Sequence, residues 1–337
     1  MKLTVLRTRG LAVLAGFSAL AFAASACAAE DKPAAGQSGG SPSEPTAEEV
    51  LELTVAVMPI ADCGAYFYAE DTGLFDDYNL KIVSESATGG SAAIAAMAAG
   101  DYDVVYSGTD GSIKAFANGL PVKVVSGANF NQAAGQADAT GLVVAAGIAD
   151  VSQLAGATIG TNALGNINQV FAQEFLASQG VEDVQVVEIP FPEQVAALEA
   201  GQIKATLLPE PFASQAVAAG GAILGYPYRV GQDSKSAVGV YVSTDQVLAE
   251  KSEAVNRFVE AMTAASAAAN DPANHDAVVK AILAHTQLSD EVVESMVFVE
   301  YSTDADTARI QAVADLLTKF GVLPDSVDVT DLVAPRS

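Results

Sequence analysis

Residues 98–106 read AAGDYDVVY and residues 199–207 read EAGQIKATL. In each, a glycine closes a helical run, since only glycine enters the left-handed C-terminal position freely, and a short strand-like run begins three or four residues later. The same order of elements surrounds both stretches. Before the first come a strand over 53–58, a helix over 64–72 closed near Gly73, a strand over 80–84 and a helix over 91–99, followed by a strand over 104–106. Around the second lie a strand over 158–160, a helix over 168–179, a strand over 185–189, a helix over 193–200 and a strand over 205–208. Short β-branched runs alternating with alanine-rich helical runs are the pattern of βαβ units, so the class is α/β with mainly parallel sheets. The chain holds two β-α-β-α-β halves.

Residues 51–335 exceed the length at which one core stops growing, which also predicts two lobes. The expected division is lobe 1 over 51–130, lobe 2 with the crossings over 131–240, and a return to lobe 1 over 241–337. The first crossing is expected within 124–144 and the return within 225–242. Helices over 247–269, 276–285, 289–295 and 307–320 should pack back on the first lobe. Paired crossings of this kind make hinges.

Residues 1–26 read as a secretory signal: Lys2, Arg7 and Arg9 precede an apolar run over 11–22 that is short for a membrane span. Ala24, Ser25, Ala26 and Cys27 resemble a bacterial lipobox, with Ala24 in the place usually held by leucine. Cys27 is therefore the expected lipidation site, and the Ala-, Gly-, Ser- and Pro-rich stretch over 27–50 is a tether without apolar periodicity.

After residue 26 the chain has 41 acidic residues against 13 basic ones. That charge repels phosphate backbones and excludes nucleic acid as a partner. Cys27 and Cys63 are the only cysteines, so there is no disulfide framework. His275 and His285 are the only histidines, which speaks against imidazole-based metal sites and Ser/His/Asp triads. No metal or cofactor is expected.

In such sheets ligands sit outside the carboxyl ends of the strands, so the strand-end loops of both halves should face a shared cleft. The first of these loops contains Pro59, Asp62, Cys63, Gly64, Tyr66 and Phe67. With Gly73-Leu74-Phe75 it resembles the substrate-binding proteins of ABC importers for nitrate, sulfonates, taurine and thiamine-pyrimidine precursors. The resemblance continues through Thr88-Gly89-Gly90-Ser91, Ser107-Gly108-Thr109-Asp110, the run over 160–166, Ile189-Pro190-Phe191-Pro192 and Pro209-Glu210-Pro211-Phe212. It spans about residues 52 to 270 and implies the type II periplasmic-binding-protein fold.

The expected ligand-binding set is Asp62, Cys63, Tyr66, Gly90, Ser91, Ser107, Thr109, Thr161, Asn162, Asn166, Glu210 and Phe212. Each has a plainer alternative. Asp62 could cap the helix that follows. Cys63 could be a small packing residue. Of the adjacent pair Tyr66 and Phe67, one should be core, and Tyr66 is assigned to the cleft because its hydroxyl needs a partner. Capping alone would account for many of the hydroxyl and amide residues. Thr109 and Glu210 fall at equivalent offsets in the two halves, so both should look inward; an interlobe contact is the alternative for Glu210.

No Lys or Arg lies in the strand-end loops, whereas Asp62, Asp110 and Glu210 do. This favours a neutral or amine-bearing heterocycle, such as an aminopyrimidine stacked on Tyr66 or Phe212, over a sulfonate, taurine or nitrate, unless Lys114, Arg229 or Lys235 folds into the pocket. The resemblance implies a non-enzymatic, monomeric solute-binding lipoprotein on the outer face of the membrane, which delivers its ligand to a permease and ATPase. The rival readings are an enzyme of the same fold family that builds the pyrimidine from its own histidine with a pyridoxal cofactor, and a lipoprotein that senses without transport.

Overall fold

The structure is a computed structural model and describes residues 49–132, 137–229 and 236–335. The expected signal peptide, Cys27, nearly all of the tether and Lys235 lie outside the described residues.

The first half runs β1 (Leu51–Val57), α1 (Gly64–Thr72), α2 (Leu74–Asp77), β2 (Leu80–Ser86), α3 (Gly90–Ala98), β3 (Val104–Gly108), α4 (Thr109–Ala117) and β4 (Val122–Phe130). The second runs β5 (Thr140–Val144), β6 (Thr158–Thr161), α5 (Ile167–Ser178), β7 (Gln185–Glu188), α6 (Phe191–Glu199), β8 (Ala205–Pro209), α7 (Phe212–Ala218) and β9 (Ala222–Gly225). The chain then returns through β10 (Ala237–Thr244), α8 (Asp245–Asn270), α9 (His275–His285), α10 (Asp290–Ser295), β11 (Glu300–Tyr301) and α11 (Thr307–Lys319).

The glycines read as helix stops do that work: Gly73, Gly100 and Gly201 all have positive φ. The parallel units are those of the repeat, with β1 between β2 and β3 and β6 between β7 and β8. Antiparallel strands complete each sheet, giving the orders β11-β4-β10-β3-β1-β2 and β7-β6-β8-β5-β9. The strand beside β3 is β10 and the strand beside β8 is β5, so in each sheet that place is taken by the first strand after a crossing. The segments expected to contain the crossings thus also hold most of β4, all of β5 and most of β10, and the return is complete by residue 237. Short-range periodicity could not show this, because β10 pairs with strands more than a hundred residues away.

Side chains alternate across each sheet, as a pleat requires. In β1, Val55 and Val57 face a core built with Tyr66, Phe67, Phe75 and Phe258 from α1, α2 and α8, while Ala56 faces the opposite side. In β5, Leu142 and Val144 face a core with Phe171 and Leu207, while Val143 joins Leu208, Ala197 and Ala213 behind. No helix of the described residues is long and apolar enough to cross a membrane.

Two glycines let chain segments approach where a Cβ would not fit. At Gly90 it would lie 2.9 Å from the Ser107 Cα, so α3 can start against β3. At Gly239 it would lie 2.7 Å from the Tyr106 Cε2, so the Tyr106 ring can lie across β10. Gly239→Ala should therefore destabilise the protein by about 1–3 kcal/mol in urea unfolding, since overpacking forces the ring or the strand to move. Gly89→Ala, with nothing within 4 Å of the new Cβ, should stay within about 0.5 kcal/mol of wild type.

Candidate functional site

Strand directions fix where the site lies. β4 is antiparallel to β10, and β10 to β3, so β4 ends on the same side as β1, β2 and β3. By the same reasoning β9 ends where β6, β7 and β8 end, and β5 begins there. Both crossings, 131–139 and 226–236, therefore run between the carboxyl ends of the two sets of parallel strands.

The floor on the first lobe is built from Asp62, Tyr106 and Asn129. Asp62 lies in a 3-10 turn after β1, Tyr106 on β3, and Asn129 one residue from the end of β4. Tyr106 donates its hydroxyl to Asp62 Oδ2 at 3.4 Å. Asn129 donates Nδ2 to the Asp62 backbone carbonyl at 3.2 Å and to the Tyr106 hydroxyl at 3.1 Å. Asp62 and Asn129 are 6% and 1% exposed, and Asp62 Oδ1 and Asn129 Oδ1 have no hydrogen-bond partner among the described residues. Burial raises the Asp62 carboxyl to about 6, with the Asp138 charge adding to the rise and the Tyr106 hydrogen bond opposing it. Asp62 caps no helix: the turn and α1 both start without a side-chain cap.

The two crossings clasp each other. Ser236 donates its backbone N–H to Asn131 Oδ1 at 2.6 Å, and Arg229 donates Nε to the Gln132 carbonyl at 3.2 Å. Arg229 and Asp138 stand 3.5 Å apart as an ion pair, without a hydrogen bond between the facing atoms. Burial raises the Asp138 carboxyl, opposed by the Gln132 N–H and by Arg229. Tyr228, in the second crossing, packs edge-on against Phe171 of α5, and its hydroxyl is pushed well up by burial, with the charges of Asp62, Asp110 and Asp138 adding to the rise.

On the second lobe Thr161 donates to Asn166 Oδ1 at 2.8 Å, which also caps α5 through the Gln169 N–H at 3.0 Å. Asn166 and Asn168 both donate Nδ2 to Asn162 Oδ1, at 2.6 and 3.1 Å, and Tyr228 donates its hydroxyl to Asn168. Thr161, Asn162 and Asn166, all expected at the site, thus form one network that reaches the crossing through Asn168.

Several expected site residues do other work. Tyr66 is fully buried in the lobe core, 5.5 Å from Phe75 between ring centroids, and its hydroxyl donates to Ser84 on β2 at 3.0 Å. It does not face the cleft: its ring lies in the core with Phe75 and Phe258, and α1 packs against α2, α8 and α9. Phe67 is core as well, stacked on His285 at 4.6 Å. Cys63 is a buried thiol whose pKa is raised well up by burial and by Asp62, the properties of a packing residue. Thr109 donates to the Ala237 carbonyl at 2.8 Å and so anchors β10. Glu210 accepts from the Ser214 N–H at 3.0 Å, the Ser214 hydroxyl at 2.8 Å and the Val297 N–H at 3.5 Å. These two equivalent positions are spent on holding the return segments, which for Glu210 is the interlobe alternative. Phe212 stacks on Phe191 at 5.6 Å, so one of its faces is taken. Gly90 and Ser107 mark the close approach of α3 to β3, with Ser91 exposed beside them.

Two cations do reach the cleft. Lys114 pairs with Asp110 at 2.9 Å and donates to the Gly165 carbonyl across the lobes at 2.9 Å. Arg229 pairs with Asp138. Each is neutralised by a carboxylate of its own, and Asp62 is left without a cation among the described residues. His275 meets the edge of Phe298, and His285 stacks on Phe67 with a 2.8 Å bond to Asp71, so neither histidine lies in these strand-end loops. No group of three or more His, Cys, Asp or Glu among the described residues could hold a metal ion.

The chain matches the NMT1-like family over residues 46–283. It belongs to that family. No curated protein matches it. Three solved structures show the NMT1-like chain's fold in other proteins. A ligand-binding component of an ABC-type import system from Staphylococcus aureus, with zinc bound, is 16% identical with a TM-score of 0.73 over 85% of this chain and 97% of that one. The alkanesulfonate-binding protein of Xanthomonas axonopodis pv. citri, bound to MOPS, is 19% identical with a TM-score of 0.69 over 86% and 99%. The periplasmic nitrate-binding protein of Synechocystis is 13% identical with a TM-score of 0.71 over 85% and 86%. The expected two-lobed periplasmic-binding-protein fold is the fold observed.

Asp62 makes the stability of this NMT1-like protein depend on pH. Its folded carboxyl holds a proton up to about 6 while the unfolded one releases it near 3.8, so between those values the folded state binds more protons and loses stability as pH rises. Asp62→Asn should therefore gain stability relative to wild type between about pH 4 and about pH 7, by on the order of 3 kcal/mol in urea unfolding. A difference that stays flat with pH contradicts the burial of an ionisable Asp62.

Proposed function

We propose that this chain is the solute-binding component of an ABC importer, exported, held to the outer face of the membrane through a lipid on Cys27, and active as a monomer that captures one small solute between its lobes. The observation that carries this reading is the convergence of both crossings and both sets of strand ends on one polar zone where buried acceptors have no partner among the described residues. Folded proteins satisfy their buried polar groups, so such acceptors point to a guest.

The mechanism is capture by closure. A solute that touches both lobes binds the closed form better than the open one and shifts the population toward it, and the closed shape is what a permease and its ATPase read. The clasp of Asn131 with Ser236 and of Arg229 with Gln132 ties the two crossings side by side, which suits a hinge. Nothing in this scheme makes or breaks a bond. The solute is a neutral or amine-bearing heterocycle in preference to a sulfonate, taurine or nitrate. Arg229 and Lys114 are already paired, and an anion beside Asp62 would meet a like charge in a partly dry cleft.

A thermal-shift screen of the protein against aminopyrimidines, taurine, alkanesulfonates, nitrate and aromatic acids tests this reading. A solute at a hundred times its Kd should add about 2.7 kcal/mol. That raises the melting temperature by about 4–5 °C, at about 2 cal/mol/K of unfolding entropy per residue over a folded part of this size. An aminopyrimidine is expected to give the largest shift, and stabilisation by sulfonates or nitrate alone contradicts the heterocycle. Cys27→Ser should move the exported protein from the membrane fraction to the soluble one, and an unchanged distribution contradicts the lipid anchor.

A further inference from the structure

Asn129 was not among the residues expected at the site, and its orientation allows the solute to be described more narrowly. The Asn129 amide cannot be turned end for end, because one of its two partners is the Asp62 backbone carbonyl, which only accepts. Nδ2 must face that carbonyl and the Tyr106 hydroxyl, leaving Oδ1 as the atom without a partner among the described residues. Tyr106 in turn receives from Asn129 and gives its single proton to Asp62 Oδ2, so the unpartnered atom of Asp62 is Oδ1. One phenol therefore holds two side chains with an acceptor to spare on each, at the ends of β1 and β4. Both are more than nine-tenths buried, and neither spare acceptor has a partner among the described residues.

We infer that Asp62 Oδ1 and Asn129 Oδ1 form a two-acceptor edge at the floor of the cleft, which selects a solute presenting nitrogen-bound hydrogens there, as an amino group or an amidine-like edge does. This rests on the solute-capture reading above. The nearby groups agree with it. Tyr301 gives its hydroxyl to the Ala61 carbonyl at 2.8 Å, the Cys63 thiol stays protonated, and Arg229 and Lys114 are held by Asp138 and Asp110. An amino group can give one N–H to each spare acceptor, whereas a sulfonate or nitrate oxygen against these two atoms would meet acceptors, and Arg229 Nη2, which has no hydrogen-bond partner among the described residues, is ion-paired with Asp138. Tyr106 is a positioning residue in this arrangement, since its hydroxyl is used up in fixing the two side chains.

The test is titration calorimetry of the protein with two matched pairs of solutes, 4-aminopyrimidine against 4-methylpyrimidine and taurine against ethanesulfonate. The first pair asks the question of a heterocycle and the second of a sulfonate. In whichever pair binds, the amino member should bind at least about tenfold more tightly, because the site's acceptors are left unpaired by the other. Asn129→Leu, close in volume but without the acceptor, should bring that ratio close to one, whatever it does to the affinity of the amine-free member. Should Asn129→Leu fail to fold, Asp62→Asn serves in its place: it offers an N–H where an oxygen stood, and should shift preference from 4-aminopyrimidine toward pyrimidin-4-one. Equal binding of both members of a pair by the wild type overturns the acceptor edge and leaves solute capture standing. Silence from both pairs and from the wider solute screen overturns capture and the inference with it.

Discussion

The carboxylate of Asp62 sits inside the protein with a phenol as its only side-chain partner among the described residues, and burying an ion in that way costs several kcal/mol unless something else pairs with it. Much of the site follows from that constraint. Tyr106 must lie across β10 to reach Asp62, which is why position 239 carries no Cβ. Asn129 must stand near the end of β4 with its amide nitrogen on Tyr106 and the Asp62 carbonyl, which leaves its oxygen without a partner among the described residues. Below about pH 6 the carboxyl keeps its proton and avoids that cost, and above it the cost of the ion is offset if a solute brings a donor.

Around this floor the fold places its two crossings, and the charges there are arranged in pairs. Asp138 keeps Arg229 and Asp110 keeps Lys114, so the cleft gains two cations without gaining positive charge. Lys114 also spans to the Gly165 carbonyl, Glu210 accepts from Val297, and Lys319 on α11 pairs with Glu174 on α5. These contacts join the lobes on both sides of the cleft. Beside them α11 shares an apolar cluster with α4 and α5, including Ile113, Ile167 and Ile310, so packing as well as polar bonds joins the two halves.

The parallel part of the fold was legible because α1, α3, α5 and α6 are each followed by a glycine with positive φ and the strands are short apolar runs, so period and punctuation agreed. The antiparallel strands were hidden, since nothing local distinguishes β10 from a crossing when its partners are β3 and β4. Helix α4 was hidden too, because Thr109, Asp110, Gly111 and Ser112 have the composition of a turn. At the site, Asp62 stood out as an acid in an apolar loop. Asn129, Asp138 and Asn168 did not, although an asparagine near the end of the apolar run over 122–130 is the kind of interruption that marks a buried polar group. Tyr66 was misread because its hydroxyl's partner, Ser84, lies on the neighbouring strand rather than in solvent.

The most direct test is a carbon-13 NMR titration of the Asp62 side-chain carboxyl, first in the solute-free protein and then with a stabilising amino-bearing solute. The account predicts a midpoint near 6 in the free protein that moves down when the solute binds, because a donor beside the ionised form favours it. A midpoint near the ordinary aspartate value of about 4, or one that does not move on binding, would contradict the claim that this carboxylate is the buried acceptor around which the site is built.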